Sequence, residues 1–220
     1  MAVQFAQPYR FTEQQFARMA DAGIIPRHGA ELVDGVPYRA GVPIRFSCDD
    51  YERLGEYGVL HEDERVELIH GEVIKMAAVG GRHSTCVFDV DDYLDSVVGP
   101  GIHVVMQSDL RLESSTPVPD VMLLRRADEV RGKVPTAAAC MLVVEVADSS
   151  APDDRTEKRE LYAQAGIPEY WVLDLNTQTV VLHLHPVGGD YQAVSEHPRG
   201  SSFVSPALGV TKVHVADLIQ

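Results

Sequence analysis

The run Cys140-Met141-Leu142-Val143-Val144-Glu145-Val146-Ala147 constrains this chain more than any other stretch. A strand with one wet face alternates polar and apolar residues, because successive side chains point to opposite sides. This run does not alternate. It reads as a strand covered on both faces, which calls for an α/β arrangement with elements packed above and below a sheet. Glu145, its one charged member, then lies where an ion must have a partner or a metal, since an isolated buried carboxylate is too costly.

The flanking pattern supports the same architecture. Val87, Val90, Tyr93-Leu94 and Val97 recur at helical spacing, predicting a helix over 82–98 that Gly99-Pro100-Gly101 ends. Asp89, Asp91, Asp92 and Asp95 are its wet face. Strand-like runs follow at 102–107, 109–113 and 119–124. A second helix is predicted over 153–165, with Ser149 or Ser150 as cap, Pro152 near its first turn and Gly166-Ile167-Pro168 as its stop. Two more strands are predicted at 169–175 and 178–185. The alternation indicates a mixed sheet flanked by helices.

Upstream, the chain repeats itself. Phe11-Thr12, Phe16, Arg18-Met19, Gly23-Ile24-Ile25 and Glu31-Leu32-Val33-Asp34-Gly35 recur about 35 residues later. The partners are Phe46-Ser47, Tyr51, Arg53-Leu54, Gly58-Val59-Leu60 and Glu67-Leu68-Ile69-His70-Gly71. Each copy reads as a capped helix, a glycine stop, and a strand entering a tight turn. Only the second runs on into Glu72-Val73-Ile74-Lys75-Met76. Residues 1–44 are therefore a truncated repeat of the opening module, and 45–220 the main domain.

Composition sets limits on function. At 220 residues one main domain with an appendage is expected. No apolar run approaches the roughly 20 residues of a membrane span, and Met1-Ala2-Val3-Gln4-Phe5 lacks a signal pattern. Cys48, Cys86 and Cys140 have no metal-ligand spacing, so reduced thiols in a cytoplasmic protein are expected. The net charge of -14 opposes a general nucleic-acid-binding surface.

The candidate chemistry lies in three charged residues. Asp120 opens the strand after Pro119, Glu145 interrupts the apolar run, and Lys158 falls on the inner stripe of the second helix with Leu161, Tyr162 and Ala165. If their strands are neighbours, Asp120 and Glu145 can share a divalent cation with a backbone carbonyl such as that of Val146. The competing reading makes Glu145 a structural ion pair with an arginine, and Lys158 a stripe-edge residue with a solvated head. His183 and His185 share a strand face without a third ligand in sight, Trp171 reads as core, and Gly80-Gly81-Arg82 is too short for a phosphate loop.

Over about residues 46–219 the chain resembles the Uma-two family of restriction endonucleases, within the PD-(D/E)XK nuclease superfamily. The resemblance is carried by Glu67-Leu68-Ile69-His70-Gly71-Glu72, His83, Gln107-Ser108-Asp109-Leu110-Arg111-Leu112 and Pro119-Asp120. It continues through Glu145-Val146-Ala147-Asp148-Ser149-Ser150, Asp154-Arg155, Lys158, Leu161-Tyr162 and Ala165-Gly166-Ile167-Pro168-Glu169-Tyr170-Trp171-Val172-Leu173-Asp174. It implies a restriction-endonuclease-like fold and a Mg²⁺ (or Mn²⁺) site built from Asp120 and Glu145. Glu67 and Gln107 would assist; His83 and Tyr162 are auxiliary candidates. The superfamily lysine stands two residues after the second acid, where this chain has Ala147. Lys158 looks like its migrated replacement.

The expected activity is Mg²⁺-dependent hydrolysis of DNA, with Asp120 and Glu145 on the metal, Lys158 on the attacking water and Glu67 on a second metal or water. The alternative is a nuclease-fold binding or regulatory protein with weak or no cleavage. Arg125, Arg126, Arg131, Lys133, Arg155 and Arg159 are candidates for a local basic lip. A homodimer or higher homo-oligomer is expected from the needs of two-strand cleavage.

Overall fold

A computed structural model describes residues 7–128, 132–148, 152–209 and 211–220, with 152–155 described for backbone only. The expected caps Ser149 and Ser150, and Arg131, lie outside the described residues, as do the side chains of Asp154 and Arg155. Two compact units are present: Ala6–Ala77 with Leu112–Pro117, and Ala78–Arg111 with Val118–Gln220.

The first unit contains both copies of the repeat. Copy one comprises β1 (Gln7–Pro8), α1 (Glu13–Asp21), β2 (Ala30–Val33) and β3 (Val36–Arg39). Copy two comprises β4 (Val42–Pro43), α2 (Cys48–Glu56), β5 (Val66–Ile69) and β6 (Glu72–Lys75). Both helices start with a reciprocal capping box, Thr12 with Gln15 and Ser47 with Asp50. Both hairpins turn on two left-handed residues, Asp34-Gly35 (φ 48° and 76°) and His70-Gly71 (φ 48° and 78°), the backbone of a type I′ turn. A Cβ on Gly35 would lie 2.8 Å from Arg10 Cβ, and one on Gly71 3.0 Å from Arg45 Cβ, so each turn glycine also admits a close crossing.

The copies exchange strands. β1 of copy one pairs with β6 of copy two, and β4 of copy two pairs with β3 of copy one. The Tyr9 N–H donates to the Val73 carbonyl and the Ile44 N–H to the Pro37 carbonyl, both at 2.8 Å. Arginines are exchanged too: Arg53 donates to the Ala22 carbonyl at 2.6 Å, and Arg18 to the Gly58 carbonyl. Phe11, Met19, Ile25, Phe46, Leu54, Val59 and Leu68 form one common core. β4 lies just before the expected boundary at 44/45, and the two copies share one core.

The second unit holds a mixed sheet of six strands among the described residues. Its members are β7 (Ile102–Met106), β8 (Val121–Arg125), β9 (Cys140–Ala147), β10 (Glu169–Asp174), β11 (Thr179–Val187) and β12 (Asp190–Pro198). The order is β12-β11-β10-β9-β8-β7, with β9 and β10 parallel and the other neighbours antiparallel. β9 is the predicted apolar run at its predicted limits. Leu142, Val144 and Val146 pack on one face with Val87, Val90 and Leu94 of α3 (Gly81–Val97). Glu145 turns to the other face, toward α4 (Pro152–Gln164). β13 (Ser202–Val204), β14 (Lys212–His214) and the short α5 (Val215–Leu218) end the chain. Among the described residues no helix is long and apolar enough to cross a membrane.

One predicted strand is absent. Residues 109–113 form only an isolated bridge, Arg111 to Thr136, because the chain leaves this sheet at Leu112 to join the first unit. There Thr116 bridges Leu68.

Glu169 opens β10 and is 1% exposed. Its carboxylate accepts from the Trp171 indole at 2.7 Å and from the Ala207 N–H at 2.8 Å, tying the C-terminal segment to the sheet. Desolvation by burial nevertheless holds its pKa above the ordinary carboxylate value. The folded state therefore favours the neutral acid, and that contribution fades as pH rises from about 4.5 through the raised value. Denaturant titrations across pH should show wild type losing stability relative to Glu169→Gln as pH rises, by up to ~1.4 kcal/mol per pH unit inside that window. A difference that stays flat or grows with pH would contradict the assignment.

Candidate active site

The centre of the second unit lies where β8 and β9 part. Val121–Val144 is the last pair of their ladder, and the next residues outward are Asp120 and Glu145. Pro119 precedes Asp120 and has no N–H to continue the ladder. The Asp120 side chain takes over instead: its Oδ2 accepts the Val146 N–H at 2.8 Å. The N–H and C=O of one strand residue point to the same edge, so the Val146 carbonyl also faces the Asp120 side. The Ala147 carbonyl faces the other way and accepts the Leu175 N–H at 2.9 Å.

Asp120 Oδ2 has a second partner, His83 Nε2, at 3.0 Å. A carboxylate only accepts, so Nε2 carries the proton. His83 reaches this point because it lies in the first turn of α3, and both side chains are nearly buried, at 10% and 12% exposure. His83, an auxiliary candidate from the sequence, thus contacts Asp120.

Glu145 is met from α4. Lys158 Nζ lies 3.1 Å from Glu145 Oε1, and the Tyr162 hydroxyl donates to the same oxygen at 2.7 Å. Residues four apart share a helix face, so one turn of α4 delivers both donors. Ala147 shares the Glu145 face of β9, two residues on, and is buried. Its methyl leaves the space into which the α4 side chains descend. Tyr162 is fully buried and leans on Tyr170, ring centroids 5.2 Å apart; Tyr170 stacks on His183 at 5.1 Å. His183 is thus a packing element whose burial lowers its pKa, and His185 is exposed.

The remaining predicted residues are placed as follows. The Gln107 N–H donates to the Asp120 carbonyl at 3.1 Å, from a left-handed backbone (φ 44°) at the end of β7, with its side chain exposed. Glu67 belongs to β5 in the other unit, 6% exposed and opposite Ile74. Of the residues named for a basic lip, Arg125 and Arg126 stand at the end of β8 away from Asp120, each donating to a backbone carbonyl, and Arg159 pairs with Asp190 at 3.2 Å.

The Uma2 family, described as "Putative restriction endonuclease", matches residues 48–216. The chain belongs to the Uma2 family. Among solved structures, the crystal structure described as that of "a putative nuclease belonging to DUF820 from Anabaena variabilis" superposes with a TM-score of 0.64 at 18% identity. The match covers 79% of this chain and 97% of that one. The fold is therefore the restriction-endonuclease-like one, and family membership assigns nuclease-like function. None of the curated proteins matches the sequence.

One contact of this Uma2 protein escaped the sequence reading. Arg82 pairs with Asp148 at 3.1 Å and donates to the Leu175 carbonyl at 2.9 Å, tying the start of α3 to the segment after β9. Gly80 stands at the N-cap of α3 with no side-chain cap bond.

The donor set fits a hard divalent cation. Among the described residues no group of three or more His, Cys, Asp and Glu assembles. Asp120 and Glu145 bring two carboxylates to the ends of β8 and β9 beside the Val146 carbonyl edge. That is the ligand count of a Mg²⁺ site completed by water and phosphate oxygens, and it is too few for an all-protein zinc site. Removing one donor from Glu145 should be costly because the carboxylate stays buried. Tyr162→Phe is expected to lose about 1–3 kcal/mol and Lys158→Met about 3–5 kcal/mol in urea unfolding at neutral pH. Losses below about 0.5 kcal/mol for both would show that Glu145 does not depend on them.

Proposed function

We propose that this chain is a Mg²⁺- or Mn²⁺-dependent phosphodiesterase that hydrolyses DNA, with Asp120, Glu145 and Lys158 as its catalytic residues. The observation that supports this most strongly is the 3.1 Å contact of Lys158 with Glu145. It puts a cation beside the second acid from a different backbone position.

Asp120 and Glu145, with the Val146 carbonyl, would hold the metal. When bound, the metal supplies charge neutralisation at the scissile phosphate and a water of lowered pKa. His83 and the Val146 N–H fix the Asp120 carboxylate in direction, since both donate to it. Tyr162 does the same for Glu145. The Lys158 ammonium orients the attacking water and stabilises charge developing on the phosphate oxygens. Water adds to phosphorus, the bond to the leaving sugar oxygen breaks, and that oxygen takes up a proton. Cleavage of both strands would use two copies of the chain.

A second reading, a nuclease-fold binding or regulatory protein, is favoured by the charge of -14 and by the engagement of Arg159 with Asp190. Salt separates the two, because a DNA ligand binds more weakly as salt rises. Calorimetry should show Mg²⁺ or Mn²⁺ binding that Asp120→Ala and Glu145→Ala lose and Lys158→Ala retains. Nicking of plasmid DNA should fall by about 10²-fold or more in all three variants. Equal nicking by wild type and variants would sink the proposal. Absence of DNA binding at low salt with Mg²⁺ present would favour the regulatory reading.

A further inference from the structure

The two copies of the repeat differ at one edge. In copy two the outer edge of β5 is occupied by the extended segment Leu112–Pro117 of the same unit. The Leu68 N–H donates to the Thr116 carbonyl at 3.2 Å, and the Thr116 N–H to the Leu68 carbonyl at 2.7 Å. The Gly71 N–H donates to the Ser114 carbonyl at 3.1 Å and the His70 N–H to Ser115 Oγ at 2.9 Å. Cys48 Sγ lies 3.5 Å from the carbonyls of Leu112 and Ser115. All four β5 residues are buried as a result.

In copy one the equivalent strand is β2, at the edge of the β2-β3-β4 sheet. Leu32 faces Pro37 as Leu68 faces Val73. Neither Pro37 nor Val73 turns its carbonyl toward its hairpin partner: these accept Ile44 and Tyr9 from the far side. Leu32 therefore points its N–H and C=O outward, as Leu68 does. Among the described residues no backbone hydrogen bond reaches those outward groups, Glu31 is exposed, and Val33 is 46% exposed. A short edge strand with outward donors and acceptors is a template for another strand.

The chemistry of the occupant follows from what changes between the copies. Glu13 stands where copy two has Cys48, and Asp34 where it has His70, while Glu31 matches Glu67. The docking edge has kept its backbone and become more acidic. We propose that β2 is a docking edge for an extended segment of a partner protein, with small hydroxyl side chains and a lysine or arginine, seated as Leu112–Pro117 is seated on β5. The chain's own segment is already engaged on copy two, so the occupant comes from elsewhere.

The test uses the full chain and two labelled eight-residue peptides. One has the sequence of residues 111–118, Arg-Leu-Glu-Ser-Ser-Thr-Pro-Val; the other carries Glu113→Lys. Fluorescence anisotropy should show saturable binding of the lysine peptide below about 1 mM, several-fold tighter than the parent and weakened by salt. Leu32→Pro removes the outward N–H and should weaken binding at least about tenfold. Glu13→Gln, which leaves the backbone intact, should weaken the lysine peptide several-fold and the parent little. Amide exchange at Leu32 should slow on peptide addition. Absence of saturation for both peptides, or binding that neither substitution alters, overturns the proposal. So does sedimentation showing that wild type dimerises through this edge, that Leu32→Pro is monomeric, and that the peptides do not compete.

Discussion

A single hydrogen bond, from the Val146 N–H to the Asp120 carboxylate, organises the end of the sheet where β8 and β9 part. It forms beyond the last β8–β9 pair, Val121–Val144, where a donor of β9 is left for a side chain to take. The cost of burying the carboxylate is offset by two donors, a backbone amide and the His83 ring. Once Asp120 is tied to β9, its distance from Glu145 is governed by sheet geometry, with little freedom left to side-chain rotation. The same bond fixes which edge the Val146 carbonyl faces. Three oxygen-bearing groups are thus brought to one end of the sheet by backbone register.

Glu145 illustrates how far a sequence pattern can carry. An acid inside Leu142-Val143-Val144-Glu145-Val146 announces a paired or ligated ion, and the spacing of Lys158 and Tyr162 before Gly166 puts both on one helix face. Those inferences need only strand and helix periodicity, so they were legible. The pairing of β8 with β9 entered only as a condition for a shared site, and the ladder meets that condition. The Asp120–Val146 bond was not legible, because it depends on where one ladder ends to within a residue. Nor was the part His83 plays, since its position at a helix start fits a surface residue as well as a buried one.

The strand reading failed over 109–113 for a reason of its own. Asp109-Leu110-Arg111-Leu112 alternates well enough to be a strand, yet the partner that would complete it is taken by the departure of Leu112–Pro117 to β5. Periodicity reports a preference for extended backbone; it does not say which sheet receives it. The terminal strands were missed for the opposite reason. β12 is largely exposed, so its apolar pattern is weak, and pairing with β11 determines its conformation.

The reciprocal placement of β1 on β6 and of β4 on β3 has a consequence for how such a chain can arise and fold. Neither copy closes its own hairpin sheet; each is finished by the leading strand of the other. A lone ancestral copy would have had to borrow that strand from a second molecule. Duplication converts this intermolecular loan into an intramolecular one, replacing a concentration-dependent association by a tether that holds the lender nearby at all times. The tether also joins the two copies around one core.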